Sequence, residues 1–124
     1  MNRIEIARQY IEELLGQRQD IIAVWLGGSV ARGEETALSD IDLQLMVAGT
    51  GEMNRAGLDT WREGIYIEAG LVFQQAYADL DMVLNNPFKA THMNDALILY
   101  DPTGFLTNLQ NAVRPVYMQP RWLG

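Results

Sequence analysis

The chain has 124 residues, 48% apolar and 20% charged, with no cysteine. That composition describes one domain with a single hydrophobic core and excludes disordered, collagenous and disulfide-stapled classes. Sixteen acidic against nine basic residues leave a net charge of −7, which repels a nucleic-acid backbone, so no long nucleic acid is expected as a partner.

Asn2 followed three residues later by Glu5 has the form of a capping box, and Ile4, Ala7, Ile11, Leu14 and Leu15 recur at helical spacing, predicting a first helix over 3–15. The opening nine residues alternate charges with isoleucines, unlike a signal peptide, and no stretch approaches the roughly 18 consecutive apolar residues of a membrane span. The expected compartment is the cytoplasm, with no membrane partner. The apolar run 21–26 predicts a strand buried on both faces, ended by Gly27 and Gly28. After a polar stretch, residues 40–47 alternate: Ile41, Leu43, Leu45 and Val47 share one face, and Asp40, Asp42, Gln44 and Met46 the other.

A turn at 49–51 precedes a helix candidate over 52–62, and Ile65, Ile67, Ala69 and Leu71 mark a further alternating strand with Tyr66, Glu68 and Gly70 opposite. Phe73, Tyr77, Leu80 and Leu84 predict a helix stopped by Asn85, Asn86 and Pro87, and residues 89–95 predict another. A short strand at 96–100, a turn at 101–104 and a last helix marked by Phe105, Leu106, Leu109, Ala112 and Val113 follow. Helices and strands thus alternate through a single α/β domain, residues 1–114, with an irregular tail over 115–124. Trp122 in that tail must fold back, dock on another chain or belong to a continuation.

The segment over 27–42, GGSVARGEETALSDID, carries the chemistry. Glycines let a triphosphate approach the main chain, a short helix after Gly27 and Gly28 would aim free N–H groups at its oxygens, Ser29 adds a hydroxyl donor, and Arg32 can reach the same phosphates. Asp40 and Asp42 lie two apart on a strand, so both carboxylates project from one face, a hard-oxygen pair suited to Mg²⁺ or Mn²⁺. A small acidic protein that uses a nucleotide needs such cations to offset its own field. Glu68 is the best third carboxylate. Asp79 and Asp81 compete, but on a helix residues two apart face different directions.

These residues resemble the nucleotidyltransferases of the DNA polymerase beta superfamily, whose signature is a glycine and serine followed about ten residues later by Asp, a hydrophobic residue and Asp. Gly28, Ser29, Asp40 and Asp42 match it, and Ile98 to Leu106, ILYDPTGFL, looks like the strand and turn after the catalytic core of small-molecule members. The resemblance implies an α+β fold with a mixed sheet flanked by helices. It also implies a nucleoside triphosphate, with ATP the first expectation, held by the loop of Gly27, Gly28 and Ser29 with Arg32, and two Mg²⁺ ions held by Asp40, Asp42 and Glu68. A nucleoside monophosphate would pass to an acceptor hydroxyl with release of pyrophosphate. The chain is closest in form to minimal members, some of them antitoxins that act on a helical partner protein and some completed by a second subunit. A helical partner, a small-molecule acceptor and a homodimer are therefore the expected associations, and an inactive antitoxin-like or nucleotide-sensing module is the alternative.

Simpler readings stand beside these. Ser29 can serve as a helix N-cap, Arg32 as an ion-pair partner of Glu34 or Glu35, and Glu68 as an exposed strand residue. His92 is read as solvated, Lys89 as a candidate phosphate contact, and Trp25 and Trp61 as core.

Overall fold

The computed structural model describes residues 2–48 and 57–117. Asn2 caps helix α1 (Arg3–Gln17): its side chain accepts from the Glu5 N–H at 2.9 Å, the first half of a capping box, while Glu5 Oε1 accepts at 3.1 Å from the Asn2 side-chain Nδ2. Ile6, Ala7, Tyr10, Ile11 and Leu14 form the buried stripe, with Ile4 and Leu15 packed at its margins. Burial pushes the Tyr10 phenol above its ordinary value.

Strands β1 (Ile21–Gly27), β2 (Ile41–Val47), β3 (Thr60–Arg62), β4 (Ile65–Phe73) and β5 (Leu97–Tyr100) form one sheet in the order β3-β4-β2-β1-β5. The pair β2 and β4 is parallel and the other pairs are antiparallel, so the sheet is mixed. Between and after the strands come helices α2 (Gly28–Ala31), α3 (Leu80–Leu84), α4 (Pro87–Asp95) and α5 (Phe105–Tyr117). One sheet face, with Val24, Leu26, Ile41, Leu43, Leu45, Ile67 and Ala69, packs against α1. On the other, Trp25, Met46 and Val72 meet Val83 of α3, Met93 of α4 and Leu106, Leu109 and Val113 of α5. The interior strand β1 is thus covered on both sides, as its unbroken apolar run requires. No helix among the described residues is long and apolar enough to cross a membrane.

Three expectations change. Residues 52–56 of the helix expected over 52–62 lie outside the described residues, and Thr60–Arg62 is a strand, because the open edge of β4 offers an extended segment backbone partners that outweigh local propensity. The helix expected from Phe73 to Leu84 is broken: β4 runs through Phe73, a 3₁₀ turn covers Gln74–Tyr77, and α3 starts only at Leu80. Asp79 sets that boundary by accepting from the Asp81 N–H at 2.9 Å, an N-cap bond that a helix interior would not allow. Finally, Pro115 lies inside α5 rather than opening a tail. The bond it cannot donate would reach only the carbonyl of exposed Asn111, so the last turn continues to Tyr117. The rest of the expected tail, with Trp122, is outside the described residues.

Candidate active site

Strand register builds the site. Gly27 of β1 pairs with Asp42 of β2, which pairs with Glu68 of β4, so these three share one rung and one face of the sheet. The next rung, Trp25, Gln44 and Gly70, leads into the apolar level of Met46 and Val72 that α3 to α5 cover. The polar rung of Asp42 and Glu68 lies at the end of the sheet where that cover stops, and both side chains are half-buried.

The glycine pair keeps this end open. A Cβ on Gly27 would stand 3.3 Å from Asp42 Oδ2, and Gly28 has φ +64°, a left-handed conformation that turns the chain sharply from β1 into α2. Ser29 faces away from the cleft: its Oγ donates to Ser39 Oγ at 3.1 Å, and Ser39 Oγ also accepts from the Thr36 N–H at 2.8 Å. Gly27, not Ser29, occupies the N-cap position of α2. Arg3 holds the same loop from α1, donating to the Ser39 and Ala37 carbonyls at 3.0 and 3.2 Å. This tie fixes the approach to β2, and with it the position of Asp42.

Helix α4 supplies the opposite wall. A cavity of about 420 Å³ is lined by Gly27, Gly28, Arg32 and Asp42 on the sheet side and by Pro87, Phe88, Thr91, His92 and Asp95 on the helix side. A second lobe of about 230 Å³ lies beside it, with Asp42, Gln44, Glu68, Gly70 and Tyr77 along its lining, and Phe88 and His92 border both lobes. Burial pushes the Tyr77 phenol above its ordinary value. His92 is therefore half-buried on the cleft wall rather than solvated, its ring centroid 4.1 Å from that of Phe88. The signal for this wall was present in the spacing of 88, 91, 92 and 95, one face of a helix.

Of the residues singled out by sequence, Gly27, Gly28, Arg32, Asp42 and Glu68 come together around this cleft. Arg32 also pairs with Glu34, Nε to Oε2 at 3.2 Å, on the surface. Ser29 does not line the cleft. Asp40 precedes β2, is exposed, and lines a separate shallow depression with Arg3, Trp61 and Tyr66. Lys89 points elsewhere, donating to the Ala76 carbonyl at 2.8 Å and lying over the Tyr77 ring. Trp61 is 67% exposed and leans on Tyr66, so only Trp25 is core.

Sequence reading missed the role of Gln44. Its Nε2 donates to Asp42 Oδ1 at 3.0 Å, holding the carboxylate toward the cleft. The amide lies across β4 in space that only a glycine leaves, since a Cβ on Gly70 would approach Gln44 Oε1 to 2.8 Å. Among the described residues no three His, Asp or Glu side chains converge into a group that could hold a metal ion. Asp42 and Glu68 form an oxygen-donor pair on one rung, which suits a cation completed by ligand oxygens and water better than a closed protein cage.

Comparison with known proteins agrees with this architecture. A supposed nucleotidyltransferase from Sulfolobus solfataricus superposes with a TM-score of 0.53 at 18% identity, over 78% of each chain. A nucleotidyltransferase-like protein from Exiguobacterium sibiricum gives 0.59 at 14% identity over 89% of this chain, which spans only 38% of that one. At these identities the likeness is one of fold. No functionally curated protein matches the sequence. Residues 9–101 match the family described as polymerase beta, nucleotidyltransferase, a span from α1 through β5 that includes the whole rung of Gly27, Asp42 and Glu68. The chain belongs to the polymerase beta nucleotidyltransferase family.

Proposed function

We propose that the cleft binds a nucleoside triphosphate together with a divalent cation and passes the nucleoside monophosphate to an acceptor hydroxyl. The observation that carries this reading is the shared rung of Gly27, Asp42 and Glu68, which sets a main-chain turn open to phosphate beside two adjacent carboxylates. Carboxylates alone would repel a triphosphate, and the chain as a whole carries −7. Binding there therefore calls for a cation, and Mg²⁺ or Mn²⁺ fits a site of one or two carboxylates completed by phosphate oxygens and water. Asp42 and Glu68 would hold it, with Asp40 contributing by turning out of the depression beside Trp61.

In this mechanism the left-handed turn at Gly28 brings the main chain close to the phosphates. Arg32 exchanges a surface partner, Glu34, for phosphate oxygens; an exposed ion pair is worth little and gives way readily. The acceptor oxygen bonds to the α-phosphorus as the bond from that phosphorus to the bridging oxygen breaks, and pyrophosphate leaves. Glu68, on the side of the smaller lobe, would also take the proton that the acceptor hydroxyl gives up. When bound, the cation lowers the pKa of the attacking hydroxyl and offsets charge on the leaving pyrophosphate. Gln44 keeps Asp42 aimed into the cleft.

Calorimetric titration with ATP, GTP, CTP and UTP, with and without Mg²⁺, tests the reading, followed by transfer of α-labelled phosphate in the presence of candidate acceptors. Binding that requires Mg²⁺, and label transfer with pyrophosphate release, are expected. Absence of Mg²⁺-dependent binding with all four overturns it, and binding without pyrophosphate release favours a nucleotide-sensing module. Gly70→Ala gives a finer check. The added methyl displaces the flexible end of Gln44, so stability should change by less than about 1 kcal/mol. The released Asp42 should weaken Mg²⁺-dependent nucleotide binding about tenfold, as loss of an outer-shell partner does.

A further inference from the structure

We infer that Phe88, backed by His92, is the platform on which the nucleobase stacks; the inference rests on the nucleotide reading above and assigns the end of the cleft that reading leaves undescribed. Phe88 is 68% exposed, although Asn86 and Pro87 fix it in the first turn of α4 and its ring belongs to neither hydrophobic core. A single exposed apolar side chain is ordinary on any protein surface. Two features separate Phe88 from that background. Its ring lies 4.1 Å from that of His92 at 37°, so the aromatic surface is paired and held in place, and both rings border the two lobes that meet at Asp42.

The geometry of the larger lobe then orders a nucleotide along it. Phosphates belong at the end of Gly27, Gly28 and Arg32, where main chain and guanidinium offer donors, and the cation belongs at Asp42. Facing them across the same lobe is the α4 wall, whose exposed flat surface is the Phe88 ring. About 420 Å³ is within the range of small-ligand sites. A π-face suits a planar base whatever its edge, so the platform separates nucleosides from bare polyphosphates much more than it separates one base from another.

The test compares ATP, UTP and inorganic triphosphate, each titrated in Mg²⁺ into the wild-type chain, Phe88→Ala and Phe88→Tyr. Because the side chain is exposed and outside the cores, thermal melting should be unchanged in both variants. Phe88→Ala is expected to weaken ATP and UTP roughly 5- to 150-fold while leaving inorganic triphosphate unaffected, and Phe88→Tyr to keep nucleotide affinity within about threefold of wild type. Equal loss for nucleotides and triphosphate, or no loss for either, overturns the platform and leaves the nucleotide site standing. A wild-type chain that binds none of the three ligands overturns both readings together.

Discussion

Asp42→Asn is expected to lower pyrophosphate release from a nucleoside triphosphate at least about 100-fold, the scale on which a single preorganised electrostatic contact to a reacting group acts. The substitution keeps the shape of the side chain. Asparagine Oδ1 can still accept from Gln44 Nε2, and the close approach to Gly27 needs no more room than before. The melting temperature should therefore move by only a few degrees, and the loss reports charge rather than folding. Asp40→Asn provides the comparison, because Asp40 lines a different depression from the cleft. A loss as large as that of Asp42→Asn means the Asp40 carboxylate turns inward when nucleotide and cation bind; a small one leaves Asp42 and Glu68 as the working pair. Full activity in Asp42→Asn would remove the rung from the mechanism.

The largest stability effect is expected at Trp25. Its side chain is fully buried, one rung below Asp42, with the Tyr77 ring edge-on at 5.8 Å and 76°. Trp25→Ala should cost about 3–5 kcal/mol, a large part of the roughly 5–15 kcal/mol that holds a domain of this kind. That corresponds to a fall on the order of 15 °C in the melting midpoint, read by circular dichroism. Trp25→Phe should cost much less. The indole Nε1 is buried with no hydrogen-bond partner, so phenylalanine discards a donor whose desolvation costs about 1–3 kcal/mol, and this offsets part of the lost packing. Equal destabilisation by the two substitutions would overturn this account, since phenylalanine keeps much of the packed ring volume and gives up the unpaired donor.

The effects at Asp42 and Trp25 come from adjacent rungs on one sheet face, and the contrast explains where the site lies. Helices α3 to α5 cover the apolar rungs and stop short of the polar one. Short-range patterning therefore decides both the core and the opening. Alternation along β2 sends Ile41, Leu43 and Leu45 to α1 and leaves Asp42 and Gln44 on the opposite side.

The sequence by itself determined the elements whose signals are local: the capped helix α1, the doubly buried β1, the alternation of β2 and β4, and the order of glycine turn, short helix and carboxylate strand that marks the family. Each is set by neighbours within a few residues, by cap bonds, period and turn chemistry, which survive in the amino-acid order alone. What only the tertiary structure decided depended on partners far away in the chain. Thr60–Arg62 became a strand because β4 offered an edge, and Glu68 came level with Asp42 because β2 and β4 are parallel in that register. Ser29 turned to Ser39 and Asp40 toward Trp61 because Arg3, more than thirty residues earlier, clamps the loop between them. The α4 wall carried a helical spacing, but no local signal said that it would face the rung, since that contact joins segments some fifty residues apart whose packing is chosen by burial of the whole core.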